Sequence, residues 1–413
     1  MTAALEAVAV ESPDVRVTHA QLAADPFRLR DLVGRGGRAA VFDAGAVGVL
    51  AALVALDGWA SDVYLAGALR PELPPGTCSL SAEAFVSPLR DTGRSPGDLP
   101  AGAVTRWHLF TSGTTGEPRA VSHPLAALAR SARPGPARRG RRWGLLYEPT
   151  RMAGIQVLLQ GLTATETVLD ATGLRSLGDR IDWLVGARVS ALSATPTLWR
   201  QILQTPRSDR LELDQITLGG EIADRRVLHA LGRAFPDARI THVFASTETG
   251  VAFSVSDRQE GFPASYLTDP PSGIRLEVRD GILFVEAPHA SVSGLDGFVS
   301  TGDLVAVDDD RVRFLGRASG VVNVGGTKVS PEQVESVLRE HPDVLDSVVV
   351  ARRSPFSGWI LTAQIVAAPR SDESSLPDRL RRFCGTRLET AAVPAIVKIV
   401  PALSSPTGKA GRT

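Results

Sequence analysis

The chain is predicted to be an α/β protein. A large N-terminal domain of mixed, mostly parallel sheets flanked by helices carries a small β subdomain, and a small mobile α+β domain follows at the C-terminus. Three observations predict this. From residue 38 to residue 244, short apolar runs alternate with amphipathic stretches, the pattern of repeated strand–helix units. From 256 to 315 the pattern changes to brief alternating segments cut by Gly, Pro and Asp. Beyond the small-residue stretch Gly316-Arg317-Ala318-Ser319-Gly320 a separate set of strands and helices begins, which gives expected domains of 1–317 and 318–413.

Taken in order, residues 38–42 read as a strand feeding an Ala/Val/Leu-rich helix that ends at Leu56, and 62–66 as the next strand. Residues 88–101 are rich in Pro, Gly, Ser, Asp and Arg and read as a loop or subdomain boundary. The apolar run 107–110 precedes a hydroxyl- and glycine-rich stretch, then a helix near 124–131. Six arginines between Arg130 and Arg142 are interleaved with Pro134, Gly135, Pro136 and Gly140, so a solvated loop is expected there rather than a phosphate site.

Further strands are expected at 143–147, 167–170, 188–191, 216–220 and 240–244, and helices at 154–162 and 225–235. Another helix opens at Thr195-Pro196, with Pro set for its first turn. In a parallel sheet, ligands collect where the C-terminal ends of strands meet loops. Residues 111–119, 219–221 and 245–250 each follow an expected strand and should therefore share one edge. In the last domain Ser330-Pro331-Glu332-Gln333 is a capping box that starts a helix with Val334, Val337 and Leu338 on one face. A second helix aligns Leu376, Leu380 and Phe383, and a strand is expected at 396–400.

Bulk properties narrow the function classes. The 413 residues suffice for two or three domains, and 43% hydrophobic with 22% charged residues is ordinary for a soluble globular chain. Lys+Arg and Asp+Glu balance at 45 each, so no net field favours nucleic acid or membrane as a partner. No long apolar segment follows the N-terminus, and the two cysteines, Cys78 and Cys384, have neither metal nor redox spacing. A cytoplasmic location is expected.

The stretch Thr111-Ser112-Gly113-Thr114-Thr115-Gly116-Glu117-Pro118-Arg119 suits a chain of oxygen anions. Its glycines let backbone N–H groups approach, its hydroxyls add rotatable donors, and its guanidinium offsets charge. It is no Walker A loop, because Pro118 stands where a second Gly is required; a Ser/Thr/Gly surface turn is the alternative. Phe244-Ala245-Ser246-Thr247-Glu248-Thr249-Gly250 puts an aromatic, hydroxyls and a carboxylate after a strand, which suits a base, a phosphate and Mg²⁺. Ser300-Thr301-Gly302-Asp303 places a lone carboxylate after Gly, suited to ribose hydroxyls. Pro406-Thr407-Gly408-Lys409 sets one lysine on a Gly-containing tail.

In this order, with Gly219-Gly220-Glu221 and Gly316-Arg317 between them, these motifs resemble the acyl-adenylate-forming superfamily of acyl- and aryl-CoA synthetases, adenylation domains and luciferases. The resemblance runs from about residue 105 to the C-terminus. It implies that Thr111 to Arg119, including Ser112, Gly113, Thr114, Thr115 and Gly116, wraps the ATP β- and γ-phosphates. It implies that Gly219, Gly220 and Glu221 line the adenine, and that Phe244 and Ala245 lie beside the base or the acyl pocket. Thr247 would bind the α-phosphate and Glu248 would hold Mg²⁺. Asp303, helped by Arg317, would take the ribose hydroxyls. Ser319 would be the hinge, and Lys409 would bridge the substrate carboxylate and the adenylate. The acid pocket is expected among Arg151, Met152, Ser193 and Val251.

Five features depart from the family pattern. Arg119 replaces the usual Lys, which keeps the charge in a planar fork. Only about 110 residues precede the phosphate stretch. Phe244-Ala245 replaces Tyr-Gly, and Ser319 replaces an acidic or basic hinge residue. Arg151 falls approximately where relatives place a gate; it would pair with a second acidic group on the substrate or with a small anion, or else point to Glu148 or solvent. The expected activity is ATP-dependent adenylation of a small carboxylic acid, then transfer of the acyl group to a thiol, with CoA the expected co-substrate. Transfer to a carrier protein or an amine, activation of an oxyanion such as nitrite, and a non-catalytic nucleotide-binding role are the alternatives.

Overall fold

The computed structural model of the chain describes residues 6–24, 26–86, 104–111, 118–132, 140–164, 166–247, 249–286, 297–354 and 358–403. Its larger, N-terminal part is built on three sheets. In the first, Thr77–Leu80, Arg38–Val41, Asp62–Leu65 and Arg106–Thr111 run parallel, and Arg119–Pro124 closes the edge antiparallel. The second has eight strands. Six parallel ones, Arg239–Ser246, Gln215–Gly219, Ala191–Ala194, Arg142–Leu145, Thr167–Asp170 and Val8–Glu11, lie side by side in that order. Antiparallel Gly250–Val255 and Arg16–Thr18 flank them.

Helix Gly45–Leu56 has no polar residue, and eight of its residues are buried. A helix that is apolar all round must be covered on every side, and its Val49, Leu53 and Leu56 share one core with Val41 and Leu109 of the first sheet and Val10 and Val168 of the second. That shared core fixes the two sheets relative to each other. Helices Pro196–Gln204 and Arg225–Ala234 start at side-chain caps, Thr195 accepting from the Leu198 N–H and Asp224 from the Val227 N–H. Each therefore begins at the C-terminal edge of the second sheet.

The third sheet is antiparallel, in the order Phe262–Pro263, Arg311–Arg317, Val299–Val307, Ile282–Glu286, Arg275–Arg279. It is the expected β subdomain, with Phe253, Phe262, Val285 and Val312 in its core. The 3₁₀ turn Ala318–Gly320 leads to the hairpin Val322–Val324 and Thr327–Val329. Helices Pro331–Glu340 and Leu376–Gly385 then pack on a sheet of Val344–Ser354, Gly358–Ala367 and Ile396–Ile399.

Three elements differ from expectation. The strand expected at 188–191 is Ala191–Ala194, because Arg188 takes a left-handed conformation (φ 54°) that closes the preceding helix first. Val8–Glu11, to which the sequence reading assigned nothing, pairs in parallel with Thr167–Asp170. In helix Leu376–Gly385 the buried stripe is Leu376, Leu380 and Cys384, while Phe383 sits beside it, edge-on to His341. Among the described residues no helix is long and apolar enough to cross a membrane.

Candidate active site

The stretch expected to hold phosphate begins and ends on a pair of antiparallel strands. Thr111 and Arg119 are its last paired residues, and Thr111 Oγ1 donates to the Arg119 carbonyl at 3.3 Å. Ser112, Gly113, Thr114, Thr115 and Gly116 lie outside the described residues; Arg119 is exposed. Four residues further along the same strand, His123 is fully buried and its Nε2–H donates to the Thr247 carbonyl at 2.5 Å. Strand Arg119–Pro124 is thereby tied to the segment between Arg239–Ser246 and Gly250–Val255. In that segment the Thr249 N–H donates to Ser246 Oγ at 3.0 Å. Glu248 lies outside the described residues.

Ser193, Gly219 and Thr247 come from neighbouring parallel strands and share the C-terminal edge of the second sheet. Gly220 has φ +82°, a conformation natural to glycine, so the chain can turn immediately after its strand. Glu221 Oε2 accepts the Thr197 N–H at 2.9 Å. Ala245 pairs with Val251, and the Val251 carbonyl accepts from Arg130 at 2.6 Å. Arg141 and Arg142 likewise hold Asp214 and Glu11 at 3.0 and 2.8 Å. Where described, the arginine-rich segment thus fastens the scaffold, and is less solvated than expected.

Two expected site residues make contacts with other parts of the chain. Phe244 stacks on Phe253 and Phe314, with ring centroids 5.1 and 5.3 Å away, and packs half-buried against the core of the third sheet. The alternation of the strand explains this: Phe244 faces the third sheet while Val243 and Ala245 face the other way. Arg151 donates through Nε to Glu148 Oε2 at 3.1 Å and through Nη1 to the Phe110 carbonyl at 2.8 Å. Its charge is met by Glu148, one of the outcomes expected for it. Met152 begins helix Met152–Ala164 and lies 3.8 Å from Gln156 Nε2 through its sulfur.

Asp303 and Arg317 are directly opposite on paired strands, 3.2 Å apart from Oδ1 to Nη1. Burial pushes the Asp303 carboxyl above the usual carboxylate range, and the Arg317 charge works against that. Arg317 is more than half exposed, so this pair stands at the surface where a ribose could reach it. Ser319 lies in the Ala318–Gly320 turn between the third sheet and the C-terminal hairpin, and Lys409 is outside the described residues.

Two residues of this edge escaped the sequence reading. His123 carried no motif; its only signal is a histidine at an inward position of a half-buried strand. Tyr147 follows strand Arg142–Leu145, and its hydroxyl is buried. Burial, aided by the nearby Glu221 charge and opposed by Ser193, pushes that phenol well above the usual tyrosine range.

Residues 89–281 match the sequence family described as AMP-binding enzyme, and 333–409 match the AMP-binding enzyme C-terminal domain. The chain belongs to this adenylate-forming family. It is an ATP-binding, AMP-forming ligase by membership. It is 27% identical over 387 residues to the fatty acid–[acyl-carrier-protein] ligase ScoC of Streptomyces coeruleorubidus, covering 82% of this chain and 72% of that one. It is 26% identical over 342 residues to 4-chlorobenzoate–CoA ligase of Arthrobacter sp, covering 74% and 64%. This AMP-binding chain therefore spans less than two thirds of the chlorobenzoate ligase. The anthranilate CoA ligase AuaEII superposes with a TM-score of 0.75 at 18% identity, over 98% of this chain and 92% of that one. The amide bond synthetase McbA of Marinactinospora thermotolerans superposes at 0.69 and 18%, over 98% and 95%; at such identities these two likenesses show the shared fold.

Proposed function

We propose that this AMP-binding ligase adenylates a small carboxylic acid with ATP and then passes the acyl group to a thiol, with CoA as the acceptor. In the first step a carboxylate oxygen forms a bond to the α-phosphorus and the bond to the β-phosphate oxygen breaks, expelling pyrophosphate. In the second step the thiol sulfur attacks the acyl carbonyl, its proton is lost to solvent or a base, and AMP leaves. Positioning and charge neutralisation supply most of the catalysis in transfers of this kind.

The observation that carries the reading is the His123–Thr247 hydrogen bond, which couples strand Arg119–Pro124 to the segment that precedes Glu248. The residues that would grip leaving pyrophosphate and those that would grip the α-phosphate are then one mechanical unit. Thr111 to Arg119 would hold the β- and γ-phosphates, Thr247 the α-phosphate, and Asp303 with Arg317 the ribose. The site's donor set fits Mg²⁺, which favours phosphate oxygens plus one or two carboxylates over an all-protein cage. Glu248 would contribute such a carboxylate, and among the described residues no cluster of three His, Cys, Asp or Glu is poised for a metal. The bound ion would neutralise phosphate charge. Lys409 would bridge the acid and the adenylate from the 318–413 unit, with Ser319 as its pivot. CoA ligases recur among the relatives, which favours CoA over a carrier protein or an amine as acceptor.

Acid-dependent exchange of labelled pyrophosphate into ATP tests the first step. Lys409→Ala should abolish exchange and leave ATP binding within about threefold, as expected for a group that acts on the reacting atoms. Exchange near the unsubstituted rate would remove Lys409 from the reaction.

A further inference from the structure

The stretch expected to hold phosphate leaves the first sheet after Thr111 and returns to it at Arg119. Its return strand is fastened to the second sheet, through His123 and the Thr247 carbonyl. Its departing strand is fastened there as well, by Arg151. This residue lies between strand Arg142–Leu145 of the second sheet and helix Met152–Ala164. Its Nη1–H donates to the Phe110 carbonyl at 2.8 Å, one residue before Thr111, and its Nε–H donates to Glu148 Oε2 at 3.1 Å. Glu148 is itself held in place: its Oε1 accepts from Thr150 Oγ1 at 2.8 Å, and its carbonyl accepts the Arg151 N–H at 3.1 Å.

A second strand of the first sheet closes on the same cluster. Gly67, two residues beyond Asp62–Leu65, has φ +58°, and an added Cβ would stand 2.1 Å from Glu148 Oε1 and 2.5 Å from Thr150 Oγ1. Only a residue without a side chain lets the chain pass so close. Two strand ends of the first sheet, at Gly67 and Phe110, thus meet segment 148–151 of the second. A guanidinium suits this junction because its Nε and Nη1 donors are fixed in one plane and can serve two acceptors, whereas an ammonium is a point charge.

We propose that Arg151 is a positioning residue for the adenylation step. With Glu148 it clamps the departing strand, so that the residues holding pyrophosphate stand in a fixed place relative to Thr247. The proposal rests on the adenylation reading above, and it takes Arg151 out of the acid pocket. Misplacing a positioned group by about 1 Å can cost about a hundredfold in rate, so loss of the clamp should be felt at the phosphates and not at the acid.

The test reads the KM for ATP, for pyrophosphate and for the acid separately in pyrophosphate exchange, beside titration calorimetry with ATP and thermal melts. Arg151→Met should raise the first two constants by about tenfold or more, and leave the KM for each acid within about threefold. Its ATP affinity should fall to match. Arg151→Lys keeps the charge without the fork and should recover only part of the loss. Gly67→Ala leaves Arg151 in place and pushes the Glu148 carboxylate away, so it should raise the same two constants by less. A change confined to the acid's KM, or a reordered preference among acids, would return Arg151 to the acid pocket. A lowered melting temperature with all three constants unchanged would make the contact purely structural. An effect of Arg151→Met that Gly67→Ala does not share would assign Arg151 to the phosphates directly. Each of these three outcomes overturns the clamp and spares the adenylation reading. No exchange with any acid by the unsubstituted protein would overturn that reading alone, and the ATP titrations of the variants would still decide the clamp by a weakened or an unchanged affinity.

Discussion

Arg339, on the first C-terminal helix, donates through Nε to the Asp224 carboxylate of the N-terminal domain at 3.0 Å. Asp224 also caps helix Arg225–Ala234 and pairs with Arg200, so one buried carboxylate holds a helix start and two arginines. Burial alone would raise its pKa; the Arg200 and Arg339 charges outweigh that and hold it down at about 2. Beside it Arg226 donates to the carbonyls of Arg339, His341 and Val344, around the C-terminal end of helix Pro331–Glu340, where the helix dipole favours a cation. This is the charged seam between the two domains.

Removing the two partners of that seam should have unequal effects. Asp224→Ala strips a buried carboxylate from two buried guanidinium groups and should destabilise the protein by about 3–5 kcal/mol. Arg339→Ala leaves Asp224 paired with Arg200 and should cost clearly less. Urea denaturation followed by tryptophan fluorescence measures both, and equal losses would show that Asp224 is not the centre of the network.

Acid should loosen the molecule in two stages. His242 is half-buried with its Nε2 fully enclosed, and the loss of solvent there lowers its pKa from 6.5 to about 4. The folded state binds its proton later than the unfolded one, so that contribution is full above the unfolded pKa and is lost as pH falls from about 6.5 to 4. Asp224 follows the same direction over a lower window, full above about 4 and lost as pH falls toward 2. Stability measured against pH should thus decline below neutrality, and His242→Gln should flatten the upper stage while sparing the lower. A profile unchanged by that substitution would place the upper stage on another group.

Asp303→Asn should weaken ATP about ten- to a hundredfold, the range for losing a charged hydrogen-bond acceptor, and should leave the KM for the acid within about threefold. Burial raises the Asp303 pKa, so ATP affinity in the unsubstituted protein should begin to fall at a pH above the usual carboxylate value. Titration calorimetry with ATP reads both effects. A change confined to the acid's KM would move Asp303 out of the ribose position.

The parts of the site that sequence discloses are those written as contiguous motifs. Asp303 and Arg317 could be named from local residues, but their cross-strand contact depends on a bulge between Leu304 and Val305 that shifts the register by one, which spacing does not disclose. What sequence conceals is contact between distant segments. The His123–Thr247 bond joins residues 124 apart in the chain, and neither periodicity nor spacing predicts it. Phe244 reads as a free aromatic at a strand end until the third sheet supplies Phe314 to cover it. Val8–Glu11 is short and close to the terminus, and only pairing with Thr167–Asp170 makes it a strand. Arg151 could not be assigned for the same reason, since its choice between substrate and Glu148 depends on where the Phe110 carbonyl lies.

Gly316 offers a test of the domain junction that leaves every charged group in place. Its φ of +125° is one that side chains rarely adopt, and an added Cβ would stand 2.5 Å from Ser330 Oγ and 2.9 Å from Glu332 Cβ. Ser330 is the cap of helix Pro331–Glu340 and also donates to the Leu315 carbonyl at 2.9 Å, so it has little room to retreat. Gly316→Ala should therefore push the start of that helix away from strand Arg311–Arg317, at a cost of about 1–3 kcal/mol. Limited proteolysis should cut the chain after residue 317 faster than in the unsubstituted protein. Because the clash is shared with Ser330, the cost of Gly316→Ala should shrink when Ser330→Gly is already present, even though losing the cap is itself unfavourable. Strictly additive losses in that double-mutant cycle would place the strain in the Gly316 backbone or against Glu332 and not against Ser330.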